Sequence, residues 1–300
     1  MTHSASSIGG IAVRRLRSGD EMVLERYLAP RADSGMFLVS NLARGGLDDV
    51  GFSFQGVYVG GFTPGGLAGV VCHAGNGMLL VQADAAVDRL AMEAVTTSRR
   101  PISGIAGPPV QVQAARRALG LAGEPAKYQA SEILFGLDLA RLRLPAALAD
   151  PAVTCRLSSA RDLPLLRRWM TEYRHAIHGT PQTGEALASS DAYIRDLQTL
   201  GHHWLLEKDG EPVAMTSINA ATSGTATMAG RVQIGGVWTP PERRGRDYAR
   251  LVIAGALLNA RHRGLARAVL FTHAENHPAQ RAYRALGFEV IGDYGIVLFS

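Results

Sequence analysis

The stretch Val237-Trp238-Thr239-Pro240-Pro241-Glu242-Arg243-Arg244-Gly245-Arg246-Asp247-Tyr248-Ala249 decides how the chain is read. Upstream, Val232, Ile234 and Val237 suit a buried strand. Pro240 and Pro241 stop it, because proline has no N–H for a sheet ladder. Downstream, Ala249, Val252, Ile253, Ala256, Leu257 and Ala260 recur at helical spacing, and Gly264 stands where a helix end favours a left-handed residue. Arginines and a glycine therefore meet free backbone amides at a helix N-terminus, a setting suited to a phosphate and better still to a pyrophosphate.

A second segment follows. In Asn276-His277-Pro278-Ala279-Gln280-Arg281-Ala282-Tyr283-Arg284-Ala285-Leu286-Gly287-Phe288, Pro278 suits the first turn of a helix. Ala279, Ala282, Tyr283 and Leu286 then share one face, so Tyr283 points inward. A strand-like Ala268 to Thr272 lies between the two segments.

Together the segments resemble the GNAT superfamily, the general N-acetyltransferases. Glu242 to Asp247 occupy the family's Gln/Arg-x-x-Gly-x-Gly/Ala loop, and Asn276 to Phe288 match its Asn-x₆-Tyr-x₃-Gly-Phe segment. The match runs from about Val153 to the end of the chain. It implies an acetyl-CoA-dependent N-acetyltransferase with direct attack by an amine. It also implies that Val237, Trp238 and Thr239 line the pantetheine arm, and that Arg243, Arg244, Gly245, Arg246, Asp247, Tyr248 and Ala249 hold the pyrophosphate. Asn276 would bond the arm or the chain near it, and Tyr283 would protonate the departing thiolate. A bulge at Gly235-Gly236 would expose an amide to the thioester oxygen. Asp247 departs from the pattern: a carboxylate stands where the family has Gly or Ala. An N-cap or first-turn acid is the plain alternative use of that residue.

The chain has 300 residues, room for two domains of ordinary size. Hydrophobic residues make up 47%, yet no run reaches the ~18 apolar residues that would span a bilayer. Met1 to Gly10 read as a loose tail without a signal-peptide core. Cys72 and Cys155 are the only cysteines and have no metal-ligand or framework spacing, so a reducing cytoplasmic location and no metal are expected. The net charge of +5 concentrates around the loop, at Arg231, Arg243, Arg244, Arg246, Arg250, Arg261, Arg263 and Arg267. A phosphate-rich coenzyme accounts for that patch. No nucleic-acid module appears, and only 6% of residues are aromatic, so neither nucleic acid nor membrane is an expected partner. The expected partner is a small-molecule or peptide amine, with room for a homodimer.

The first half opens like the second. Strand-like Ile11 to Val13 leads through Arg15-Leu16-Arg17-Ser18-Gly19-Asp20 to a helix from Met22 to Leu28. Strand-like Ala152 to Cys155 leads through Arg156-Leu157-Ser158-Ser159-Ala160-Arg161-Asp162 to a helix from Leu163 to Met170, with Ser18 and Ser159 as caps. Both halves continue with a helix (Gly35 to Leu47, Leu187 to Leu200) and a hairpin (Phe54 to Val71, Trp204 to Ile218). Helical Ala85 to Val95, a Gly104 to Pro109 turn without arginine and helical Val110 to Leu119 continue the first half, and Glu132 to Leu139 would close it as a strand. The expected fold is α/β (α+β): two GNAT-like domains, each a mixed central sheet flanked by helices. Residues 1–148 would form a degenerate GNAT-like domain and 149–300 the acetyltransferase domain, with Arg141 to Pro151 as linker. The loop Tyr173 to Ala186 and the helix after it would set acceptor specificity. No spacing singles out a base among Glu275, Gln233, His203, His202, His175, His178 and Asn219. A non-catalytic acyl-CoA sensor or interaction module is the competing reading. A dinucleotide oxidoreductase fits poorly, since no Gly-x-Gly-x-x-Gly follows a strand.

Overall fold

A computed structural model describes residues 10–181 and 183–299. Apart from Gly10, the expected amino-terminal tail lies outside the described residues. In chain order the first half holds β1 (Ala12–Arg15), α1 (Glu21–Leu28), α2 (Met36–Gly45), β2 (Gly56–Thr63), β3 (Gly66–Ala74), β4 (Met78–Ala83), α3 (Val87–Ser98), β5 (Gly104–Gly107), α4 (Pro109–Ala118) and β6 (Tyr128–Asp138). The second half holds β7 (Val153–Leu157), α5 (Leu163–His178), α6 (Gly184–Thr199), β8 (His203–Lys208), β9 (Glu211–Gly224), β10 (Ala229–Trp238), α7 (Tyr248–His262), β11 (Arg267–Thr272), α8 (His277–Leu286) and β12 (Glu289–Leu298). The two halves repeat one element order.

The chain divides into two compact units, and their borders are not those of the repeats. One unit runs to Ser131 and takes back the chain from Tyr294 on; the other is Glu132–Asp293. The cause is an exchange of last strands. β6 leaves the first repeat and pairs antiparallel with β11, Ile133 opposite Thr272 through Asp138 opposite Arg267. β12 leaves the second repeat and pairs antiparallel with β5, Gly295 opposite Gly107 through Leu298 opposite Gly104. So Glu132 to Leu139 does not close the first half, and the units divide at 131/132 and 293/294 rather than at 148/149. Within each unit the strands order as β1-β2-β3-β4-β5-β12 and as β6-β11-β10-β9-β8-β7.

In the first unit the core gathers Val57, Val59, Val71, Leu79, Val81 and Ile105 of the sheet against Leu90, Ala94, Val112 and Ala115 of α3 and α4. In the second unit one sheet face packs on α7 and α8 through Phe135, Leu206, Val232, Ile234 and Leu270 against Val252, Leu257, Tyr283 and Leu286. The other face packs on α5 and α6 through Leu205, Met215 and Trp238 against Leu166, Trp169, Met170 and Ile194.

The shared opening of the repeats has a shared fastening. Arg156 donates both guanidinium arms to Asp162 at 2.8 Å, and Arg14 does the same to Asp20 at 2.7 Å, six residues on in each case. Arg14, not Arg15, is therefore the partner of Arg156, one position away from the Arg-Leu match in sequence. Ser159 stands near the start of α5 and forms a capping box with Asp162 on the short turn ahead of it, while Asp162 itself holds the N-cap position of α5. Ser18 likewise stands near the start of α1, whose N-cap position Asp20 holds, and its hydroxyl donates to Asp48. Helix α5 runs on to His178, where Gly179 turns left-handed at φ 64, so Tyr173 is helical rather than the start of a loop. The apolar stripe of Leu166, Trp169, Met170 and Tyr173 carries it past Met170.

Candidate functional site

Strands β10 and β11 pair in parallel only from Arg231–Gln233 against Arg267–Val269. Beyond that they part, and the crevice opens at their carboxyl ends, where ligands of open α/β sheets bind. Two irregularities shape the β10 wall. The register with β9 shifts between Gln233 and Ile234, leaving Asn219 over, and again between Gly235 and Trp238. Gly236 lies in the left-handed region at φ +57, and a Cβ on it would lie 2.4 Å from the Ser217 hydroxyl. The Gly235 carbonyl is held by the hydroxyls of Thr216 and Ser217 at 3.1 and 3.2 Å. The glycine pair expected to mark a bulge does so.

A cavity of about 930 Å³ begins there. Val237, Trp238 and Thr239 form one wall; Arg243, Arg244, Gly245, Asp247, Tyr248 and Ala249 form its end, with Arg250 beside them. Asn276, Ala279, Ala282 and Tyr283 of α8 and the turn before it form the opposite wall, and Ala176 and Ile177 of α5 join them. Arg246 is exposed and lies outside this lining. Four buried polar atoms at the crevice have no partner among the described residues: Gln233 Oε1, Trp238 Nε1, Thr239 Oγ1 and Arg250 Nε. Buried polar atoms are rarely left so.

Gly245 turns left-handed at φ +76 and Asp247 at φ +66. Only the second strains an L-residue, and Asp is among the few that tolerate it. Asp247 takes the N-cap position of α7, but its side chain caps nothing; the carboxylate pairs with the Arg250 guanidinium. The amides of Tyr248, Ala249 and Arg250 have no carbonyl to meet within the helix. Arg244 lies over the Trp238 ring at 4.9 Å and donates from Nε to the Thr239 carbonyl at 3.0 Å.

On the opposite wall Asn276 uses both ends of its amide within the protein. Oδ1 accepts from the Ala279 amide at 3.3 Å and caps α8, while Nδ2 donates to Thr272 at 3.1 Å. Tyr283 is buried between Phe135 and Phe288, at ring separations of 5.7 and 6.1 Å. Burial pushes its phenol above the ordinary range, reinforced by Tyr173 and Glu132. Burial does the same to Tyr173, helped by Tyr193 and Glu132 and opposed by the Gly236 backbone and Arg174. Both phenols keep their protons at neutral pH.

The candidates for a base scatter. His203 is buried, and desolvation holds it down to about 4, so it is neutral; it does not line the cavity. His175 Nδ1 is engaged by the Thr180 carbonyl at 3.0 Å, and Glu275 is exposed. Asn219 accepts from Tyr193 at 2.9 Å and from Ser217 at 3.1 Å. The side chain of His178 lies outside the described residues. Tyr173, Tyr193 and Glu132 were not among the sequence candidates. The tyrosines carry no motif, and Glu132 reaches this unit only through the strand exchange.

At the matching place of the first unit the described residues close up. β4 and β5 pair in parallel from Met78–Leu80 against Gly104–Ala106, and Gly107 then presses so close that a Cβ on it would lie 2.3 Å from the Val81 carbonyl oxygen. The Ala83 amide donates to Gln111 Oε1 at 2.8 Å.

The acetyltransferase (GNAT) family matches residues 164–288. The matched stretch lies within the second unit. None of the curated proteins matches the chain. Solved structures share the fold across both repeats. A GNAT-family acetyltransferase from Colwellia psychrerythraea superposes with a TM-score of 0.52 at 14% identity, covering 96% of this chain and 100% of that one. A tandem GNAT protein from the clavulanic acid biosynthesis pathway gives 0.54 at 15%, covering 96% and 97%. A Drosophila protein gives 0.62 at 16%, covering 96% and 99%. These likenesses extend the shared fold over most of the chain.

Proposed function

We propose that the protein is an acetyl-CoA-dependent N-acetyltransferase whose second unit alone binds the coenzyme. The observation that carries this is the crevice between β10 and β11. It joins a bulged strand with unsatisfied polar groups to a basic helix N-terminus within one cavity, the shape and polarity that a pyrophosphate on a pantetheine arm needs.

The chain's own residues divide the work. Gly245 and the first amides of α7 receive the pyrophosphate, and Arg243 and Arg244 add charge-assisted bonds. Val237 to Thr239 line up the arm. The bulge at Gly235-Gly236 frees a β10 amide for the thioester oxygen, where a positioned donor is worth ~3 kcal/mol of barrier. Bound acetyl-CoA supplies the activated acetyl group. Tyr283, protonated and facing the cavity, donates to the departing sulfur. Fixing the thioester in place is itself a large share of the rate gain.

The test is calorimetric titration with acetyl-CoA, then acetyl-CoA consumption with a panel of primary amines. We expect one coenzyme per chain, transfer to at least one amine, and loss of binding in Gly245→Glu. Binding with no transfer to any amine would favour a sensor; no binding would remove both readings.

A further inference from the structure

The element that the second unit borrows from the first repeat brings a carboxylate with it. β6 lies beside β11 with Ile133 opposite Thr272, which sets Glu132 beside His273 at the carboxyl end of β11, past the point where β10 leaves. The Glu132 side chain is only 7% exposed, and its Oε1 lies 4.0 Å from His273 Nε2, whose own side chain is 42% exposed. Along β6, side chains alternate. Ile133, Phe135 and Leu137 pack on the α7 and α8 side, Phe135 edge-on to the Tyr283 ring, and Glu132 turns the other way. Its charge acts on two phenols, Tyr283 of the cavity wall and Tyr173 of α5. A buried carboxylate and a half-open histidine thus stand side by side past the point where β10 leaves β11, with the carboxylate's charge felt by Tyr283 of the cavity wall.

We propose that Glu132 is the general base of the transfer and that His273 carries the proton on to solvent. This rests on the acetyltransferase reading above. The acceptor enters as an ammonium and gives one proton to the Glu132 carboxylate, from which it passes to His273 and water. The freed lone pair forms the C–N bond. The C–S bond breaks with its electrons on sulfur, and Tyr283 protonates the sulfur. The second nitrogen proton replaces the one Tyr283 gave, so one proton leaves per turnover. The separation of 4.0 Å is beyond a direct hydrogen bond and within reach of one bridging water. The first repeat would thereby serve the reaction through one strand.

The full-length protein tests this with two kinds of nucleophile: basic primary amines (an amino-acid amide, a polyamine, an amino sugar) and hydroxylamine, which is already neutral at pH 7. In Glu132→Gln we expect kcat/KM to fall about 100-fold for the basic amines and less than about 3-fold for hydroxylamine. Acetyl-CoA affinity by calorimetry should be unchanged. His273→Gln, at a half-open position, should lose about tenfold with basic amines and recover in imidazole buffer. Equal losses with both nucleophiles would make Glu132 a packing residue, and full activity in either variant would remove it from the proton route. Wild-type protein that spends no acetyl-CoA on any nucleophile would sink the acetyltransferase reading and the base with it. Active wild type beside an equally active Glu132→Gln would sink the base alone.

Discussion

At Asp247 two costs meet. The residue sits at φ +66, where an L-residue loses about 1–2 kcal/mol, and it brings a negative charge to the helix start proposed to receive the pyrophosphate. The Arg250 pair answers the charge but occupies that guanidinium. Asp247→Gly relieves both, so coenzyme affinity should rise about tenfold by calorimetry; weaker binding would mean that the Arg250 pair is needed to shape the loop. Tyr283 separates binding from chemistry in the other direction. Its ring fills the space beside Phe135 and Phe288, and Tyr283→Phe keeps that packing while removing the O–H. Turnover should fall about 100-fold with acetyl-CoA affinity unchanged, and unaltered turnover would return the residue to the core. Both positions were legible in sequence because each sits inside a local spacing: a turn entering a helix, and one face of a helix opened by Pro278. Glu132 was not, since nothing within a window around it tells that its neighbours in space begin at Arg267.

At the scale of elements, each repeat is fastened where its first strand enters its first helix. Asp162 is buried, accepts both arms of Arg156 and closes the capping box of Ser159, and Glu207 holds the same guanidinium from β8. The Arg156 bond, aided by Ser159 and opposed by burial, lowers the Asp162 carboxyl from 3.8 to about 2. A depressed carboxyl stabilises the fold above its unfolded value and loses that contribution as pH falls toward about 2. The shift corresponds to about 2 kcal/mol. Asp162→Asn should therefore lower unfolding free energy by about that much at pH 7 in urea titrations, and the gap to wild type should narrow as pH falls below about 4 and close only below about 2. A gap independent of pH would mean that the cost is geometric. The elements read most faithfully from sequence were those with a clean period. β9 reads short because Asn219 to Gly224 alternates small and polar residues, and β12 is hidden by Gly292 and Asp293, which break its apolar run.

For the whole molecule, the exchange of last strands makes a prediction about where the chain can be cut. A cut at the sequence repeat leaves residues 149–300 without β6, so the backbone groups of β11 that face Ile133 to Asp138 go unpaired. Leaving such an edge open is costly for folding and invites association. Phe135 and Leu137 would also leave the core around Tyr283. The same fragment keeps the end of β12, whose partner β5 it lacks. A cut at the compact unit, residues 132–293, keeps β6 on β11 and drops only the strand that belongs to β5. The fragment 132–293 should thus unfold cooperatively and bind acetyl-CoA within about tenfold of the intact chain, whereas 149–300 should aggregate or melt without a sharp transition. Heat denaturation and calorimetry on the two fragments decide it. If 149–300 proved the better folded and the better binder, β6 would be dispensable to the crevice, and Glu132 could not be serving it.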